Sequence, residues 1–210
     1  MKVVAISDTH NQHHNLHLPK GDLLLHAGDV SGRGTEAEAR DFLDWFAEQD
    51  FNHKVFIAGN HDYFFERCPA SYISHVIPDK VHYLNDSGVE IEGVRIWGSP
   101  VQPWFFDWAF NRHRGPEIDK HWQLIPDETD ILITHGPAYN ILDQTVKGEL
   151  VGCKDLLNRI EKVKPRFHIA GHIHEAYGQE TIGRTTFINA SVLNVRYELV
   201  NHPITFEIKR

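Results

Sequence analysis

The chain has 210 residues, 41% of them hydrophobic and 24% charged, a balance that suits one globular domain spanning 1–210. A formal net charge of −8 argues against a surface that grips duplex nucleic acid by bulk electrostatics, so an anionic ligand would need a local positive focus from metal or a few arginines. The only cysteines, Cys68 and Cys153, lack metal-type spacing and suit a reducing compartment; no run has the length of a membrane span or signal peptide, and a cytoplasmic protein without membrane contact is expected.

In chain order, KVVAIS (2–7), DLLLHAG (22–28), KVFIAG (54–59), DILITHG (130–136) and RFHIAG (166–171) are unalternating apolar runs of strand length, the pattern of strands covered on both faces. TEAEARDFLDWFAEQ (35–49) opens with a capping-box pair, Thr35 and Glu38, and places Phe42, Leu43 and Phe46 on one helical face. VEIEGVRIWGSP (89–100) alternates about Glu92 and Gly93 and reads as a hairpin with Val89, Ile91, Val94 and Ile96 inward. PVQPWFFDWAFNRHRGP (100–116) crowds aromatic residues without clean periodicity; it reads as a satellite core, with a base-stacking lid or a self-association patch for an oligomer as alternatives. CKDLLNRIEKVKP (153–165) predicts a second helix, with Leu156, Leu157, Ile160 and Val163 on one face and Pro165 as its stop. RTTFINASVLNVRYELVNHPITFEIKR (184–210), rich in β-branched and aromatic residues, reads as further strands. Helix-linked strands together with hairpins imply a mixed α/β architecture with more than one sheet.

Each buried run ends in a polar cluster: Asp8 and His10 in SDTH, Asp29 in GDV, Asn60, His61 and Asp62 in GNHD, His135 in THGP, and His172 and His174 in GHIH. Carboxyl ends of strands in an open α/β sheet share one edge, so these clusters are expected to converge. Asp8, His10, Asp29, Asn60, His135, His172 and His174 make a mixed oxygen and nitrogen set without sulfur, which favours Mn or Fe, with Zn as the alternative. They are too many for one ion with open positions and fit two divalent ions sharing a bridging carboxylate. Among the chain's 16 histidines, His26 and His168 sit within apolar runs and read as core residues, and His13, His14 and His17 as lining a polar loop.

Asp-x-His, Gly-Asp, Gly-Asn-His-Asp, His-Gly and Gly-His-x-His, in that order, resemble the calcineurin-like metallophosphoesterase superfamily. AGHIHEAYG and INASVLN further resemble its metallophosphoesterase-domain (MPPED) branch. The resemblance implies a four-layer α/β/β/α sandwich of two mixed sheets. It implies that Asp8, His10, Asp29 and His174 hold one metal and Asp29, Asn60, His135 and His172 the other, with Asp29 bridging. It makes His61 the non-ligand acid that protonates the leaving group. Asp62 beside it reads as an orienting residue and not a ligand, and is a candidate substrate contact. The implied activity is metal-hydroxide hydrolysis of small phosphoesters, diesters such as cyclic nucleotides ahead of monoesters; a non-catalytic scaffold and a nuclease are the rival readings. One departure bears on this. GDVSGRG carries Gly32 where the Ser/Thr phosphatase branch has a second Asp, which leaves His61 without that carboxylate and counts against a protein phosphatase. Arg33 falls at the arginine of that motif and is a candidate phosphate contact.

Overall fold

A computed structural model describes residues 1–209. In chain order the elements are β1 (Lys2–Ile6), β2 (Leu23–Ala27), α1 (Glu36–Glu48), β3 (His53–Ile57), α2 (Tyr63–Arg67), α3 (Ala70–Val76), β4 (Val81–Tyr83), β5 (Ser87–Ile91), β6 (Val94–Ser99), β7 (Gln102–Pro103), β8 (Asn111–Arg112), α4 (Pro116–Trp122), β9 (Ile131–Thr134), α5 (Lys154–Val163), β10 (Phe167–Ala170), β11 (Gly178–Ile182), β12 (Thr185–Asn189) and β13 (Ile204–Glu207). Of the two large sheets, one has the order β13-β1-β2-β3-β4 and the other β11-β12-β10-β9-β6-β5, while β7 and β8 pair with each other as a small two-stranded sheet. The inner strands of both large sheets run parallel, while β13, β5 and β11 close the edges antiparallel.

Side-chain alternation shows why the strands carry no polar face. In β1, Val4 and Ile6 face the layer of α1 to α3, whereas Val3 and Ala5 face the second sheet. Phe56 and Val55 divide β3 in the same way. On the far side of the second sheet, Leu132 and Phe187 pack against Ile118 and Trp122 of α4 and Leu156 and Ile160 of α5. Three apolar layers therefore join helices, sheet, sheet and helices, which is the expected four-layer α/β/β/α sandwich.

The local signals act as their chemistry requires. Thr35 Oγ1 accepts from Glu38 N, and Glu38 Oε2 accepts from Thr35 N, so both ends of the capping box are closed. At the β5–β6 turn, Glu92 (φ 49°) and Gly93 (φ 79°) are both left-handed, the backbone that a tight hairpin requires. Cys153 Sγ accepts from Leu156 N and starts α5. His26 and His168 are buried as expected, bonded to Thr9 Oγ1 at 3.0 Å and Thr134 Oγ1 at 2.8 Å, and burial pushes each imidazole down to about 3.

Two expectations need correction. His13 does not line a polar loop: it is buried against Trp45 and Phe42. The tail forms β12 and β13, but residues 190–203 between them are irregular, held by isolated bridges and by Asn194 Oδ1, which accepts from Arg196 N and Glu198 N.

Candidate metal centre

The parallel strands β1, β2, β3, β9 and β10 deliver their motifs to one edge of the sandwich. Asp8 N donates to Gly28 O at 2.9 Å, His61 N to Asp29 Oδ1 at 2.8 Å, and His172 N to both oxygens of Asp8 at 3.1 and 3.0 Å. Residues from both sheets thus meet in a single pocket. Asp8, His10, Asp29 and His172 all have left-handed backbones, with φ of 56°, 40°, 58° and 67°. Such conformations strain a residue with a Cβ and concentrate at functional sites. Glycine is required beside them: a Cβ on Gly171 would strike Ser7 Oγ and Asp8 Oδ2, and one on Gly59 would strike Asp29 Oδ1.

The imidazoles share one mode of orientation. Nδ1 of His10 lies 3.2 Å from Ser31 O, that of His135 2.9 Å from Ala27 O, and that of His174 3.0 Å from Asn194 O. A carbonyl oxygen only accepts, so each Nδ1 carries a proton and donates it. Nε2 is left to face the carboxylates: 3.6 Å from Asp29 Oδ2 for His10, 3.3 Å from the same oxygen for His135, and 3.5 Å from Asp8 Oδ1 for His174. Asn60 Oδ1 sits 2.9 Å from His135 Nε2. Backbone carbonyls that fix the remote nitrogen are how proteins orient metal-binding histidines.

Two groupings have ligand atoms close enough to share an ion: Asp8, His10 and His174, and Asp29, His135 and His172. Asp29 also groups with His10 and His61. His10 Nε2 is buried without a hydrogen-bond partner among the described residues, as expected of an atom reserved for a ligand. Donor chemistry, orientation and this orphaned nitrogen therefore fit divalent cations.

Electrostatics agree. Burial opposes charge on Asp8 and Asp29, yet both are held well below the ordinary carboxylate range, Asp8 by the hydrogen bond and charge of His174 and Asp29 by those of His135. Burial likewise opposes charge on His135 and His174, but Asp29 and Asp8 outweigh it and raise each to about 9. His172, disfavoured by burial and by the charge of His135, is pushed down to about 3.

His61 Nδ1 donates to Gly32 O at 2.9 Å, and its ring stacks on Trp108 with centroids 4.2 Å apart. The main-chain carbonyl at Gly32 thus takes the place of the missing carboxylate. Asp62 is buried behind the site, accepting from Gly59 N, Val30 N, Ser31 N and Ser31 Oγ, which locks the second and third motif loops together. Burial and the charge of Asp29 raise it to about 6. Asp62 therefore reaches other loops and not the pocket. Arg33 is exposed, with its backbone N donating to Glu38.

Sequence reading placed Phe105 and Trp108 in a satellite core, with a base-stacking lid as the alternative, and did not single out Tyr197. Phe105 lies edge-on to His172 at 5.0 Å, and Tyr197 lies 4.9 Å from His10 and 5.2 Å from His174. The segment 100–116 divides between roles: Ala109 and Phe110 are buried in the core beneath α1 to α3, Phe105 and Trp108 wall the pocket, and Phe106 is 79% exposed. Clustered aromatics gave the only signal, and it could not separate these parts.

Comparison with known proteins agrees with this geometry. Human metallophosphoesterase domain-containing protein 1 is 39% identical over 231 residues, covering 99% of this chain and 71% of its own. A Synechococcus protein named as a probable cyclic nucleotide phosphodiesterase is 28% identical, covering 88% of this chain and 69% of its own. A crystal structure 16% identical in sequence superposes with a TM-score of 0.68 over 90% of this chain and 89% of the other, which shows a shared fold. Residues 1–176 match the calcineurin-like phosphoesterase family, and with the motifs gathered at one sheet edge, the chain belongs to that family.

Proposed function

We propose that the chain hydrolyses small phosphodiesters, cyclic nucleotides among them, at a binuclear centre in a cytoplasmic setting. The observation that carries this reading is the orientation of His10, His135 and His174, each pinned through Nδ1 to a backbone carbonyl with Nε2 aimed at Asp8 or Asp29. Asp8, His10, Asp29 and His174 would hold one cation and Asp29, Asn60, His135 and His172 the other, with Asp29 between them. Mn or Fe suits the set ahead of Zn. Such cations supply hydroxide at neutral pH and neutralise the phosphoryl oxygens for in-line displacement.

The chain's own residues do the rest. His61, held by Gly32 O and by the face of Trp108, keeps Nε2 available to give a proton to the departing oxygen. Asp62 fixes the loops carrying Asp29 and Asn60 at their present spacing. Arg33, exposed on the loop that follows Asp29, would supply a positive contact for a phosphate oxygen of the substrate. The missing carboxylate at position 32 and the similarity to a probable cyclic nucleotide phosphodiesterase support diesters over monoesters. Free thiols at Cys68 and Cys153 support a reducing compartment.

The test is hydrolysis of bis(p-nitrophenyl) phosphate against p-nitrophenyl phosphate in the presence of Mn²⁺. Faster turnover of the diester is expected. Preference for the monoester would overturn the diester assignment, and no turnover of either with any divalent metal would overturn the enzymatic reading.

A further inference from the structure

Three side chains outside the candidate centre converge beside α1. His13 and His14 lie on the short 3₁₀ turn that follows His10, and Asp41 lies on α1. His13 Nε2 is 3.0 Å from Asp41 Oδ2, and His14 Nε2 is 3.2 and 3.3 Å from Oδ1 and Oδ2. Ligand atoms of all three lie within 4.8 Å of one another. A tetrahedral ion with donors about 2.0–2.1 Å away separates them by roughly 3.3 Å. We infer that His13, His14 and Asp41 form an additional cation site, suited to Zn²⁺ or a similar late divalent metal, that pins the turn after His10 to α1.

Preorganisation supports the inference. The His13 ring is fully buried, 5.0 Å from Trp45 and 5.7 Å from Phe42; its Nδ1 has no hydrogen-bond partner among the described residues, so packing fixes it. Burial and the nearby His14 lower His13 to about 4, so it offers a lone pair at neutral pH. The His14 hydrogen bond keeps Asp41 below the usual carboxylate range. The His14 and Asp41 side chains are 57% and 54% exposed, which leaves the remaining coordination position to water. Two imidazoles and one carboxylate bind Zn²⁺ more strongly than Mn²⁺ by the general order of divalent affinities, which makes Zn²⁺ the ion to test at this site.

The test titrates Zn²⁺, and Co²⁺ for its tetrahedral visible absorption, into the chelator-treated full chain. Wild type is expected to bind one equivalent more than His14→Ala or Asp41→Asn, both at exposed positions that folding tolerates. In an Asp29→Ala background, which cripples the candidate centre, one equivalent should persist and be lost on adding His14→Ala. Equal stoichiometry in wild type and both single variants would overturn the site and leave a hydrogen-bonded tie between turn and helix. Loss of all binding with Asp29→Ala alone would overturn it too.

Discussion

The carbonyl oxygen of Gly32 accepts from Nδ1 of His61 at 2.9 Å, while Trp108 covers the face of the same ring at 4.2 Å. A neutral acceptor and an aromatic wall hold the imidazole where the Ser/Thr phosphatase motif supplies a carboxylate. If His61 is the proton donor and not a ligand, His61→Ala should keep the wild-type metal content and lose about 10²- to 10⁴-fold in turnover. Metal analysis alongside kcat checks both halves; a variant that loses metal as well would make His61 a ligand.

Trp108 should act through His61. Aromatic pairs contribute about 0.5–1.5 kcal/mol beyond their burial, so Trp108→Ala is expected to lower kcat by roughly 2- to 10-fold with metal content unchanged, and Trp108→Phe to recover most of it. Unaltered kcat in Trp108→Ala would show that Gly32 alone suffices.

Asp29 stands nearest to both imidazole sets, with His61 N on one oxygen and His10 and His135 near the other. Asp29→Ala should lose both metal and activity at the centre, whereas Asp62→Asn should retain metal and lose stability, since Asp62 is fully buried and accepts from three backbone amides. Full activity in Asp29→Ala would remove the bridging role.

The charge pattern predicts a pH dependence of stability. His135 and His174 are raised to about 9 from an unfolded value near 6.5. A group whose folded pKa is raised stabilises fully below its unfolded pKa and loses that contribution as pH rises through the folded one. Chelator-treated protein should therefore show a Tm that falls between about pH 6.5 and pH 9, as Asp29 and Asp8 lose their protonated partners. Bound cations replace those protons, so the Mn²⁺-loaded protein should not show the fall. Parallel Tm curves with and without chelator would contradict the exchange of protons for metal.

Thr35→Ala opens the capping box and should cost about 0.5–2 kcal/mol. Glu38 also receives Asn11 Nδ2 and Arg33 N, so loosening it should reach the loops that carry His10 and Arg33 as well. A denaturant midpoint measures the first effect and KM the second.

The buried strands were legible because both of their faces are covered: DLLLHAG and KVFIAG carry no polar alternation, and their terminal Asp29 and Asn60 stand out by contrast. The capping box and the Glu92-Gly93 turn were legible because they are local. The short helices α2, α3 and α4 were not, since they are too brief to show a period. His13 was misread because its burial depends on Trp45, distant in sequence and brought close only by α1. The Gly32 carbonyl was invisible for a different reason: main-chain acceptors have no letter of their own.

The most direct test of the central claim is anomalous diffraction from crystals grown with Mn²⁺. Two peaks about 3.5–4 Å apart, with Asp29 between them, are predicted. A single peak at this centre, or two peaks there without Asp29 in common, would contradict the binuclear account.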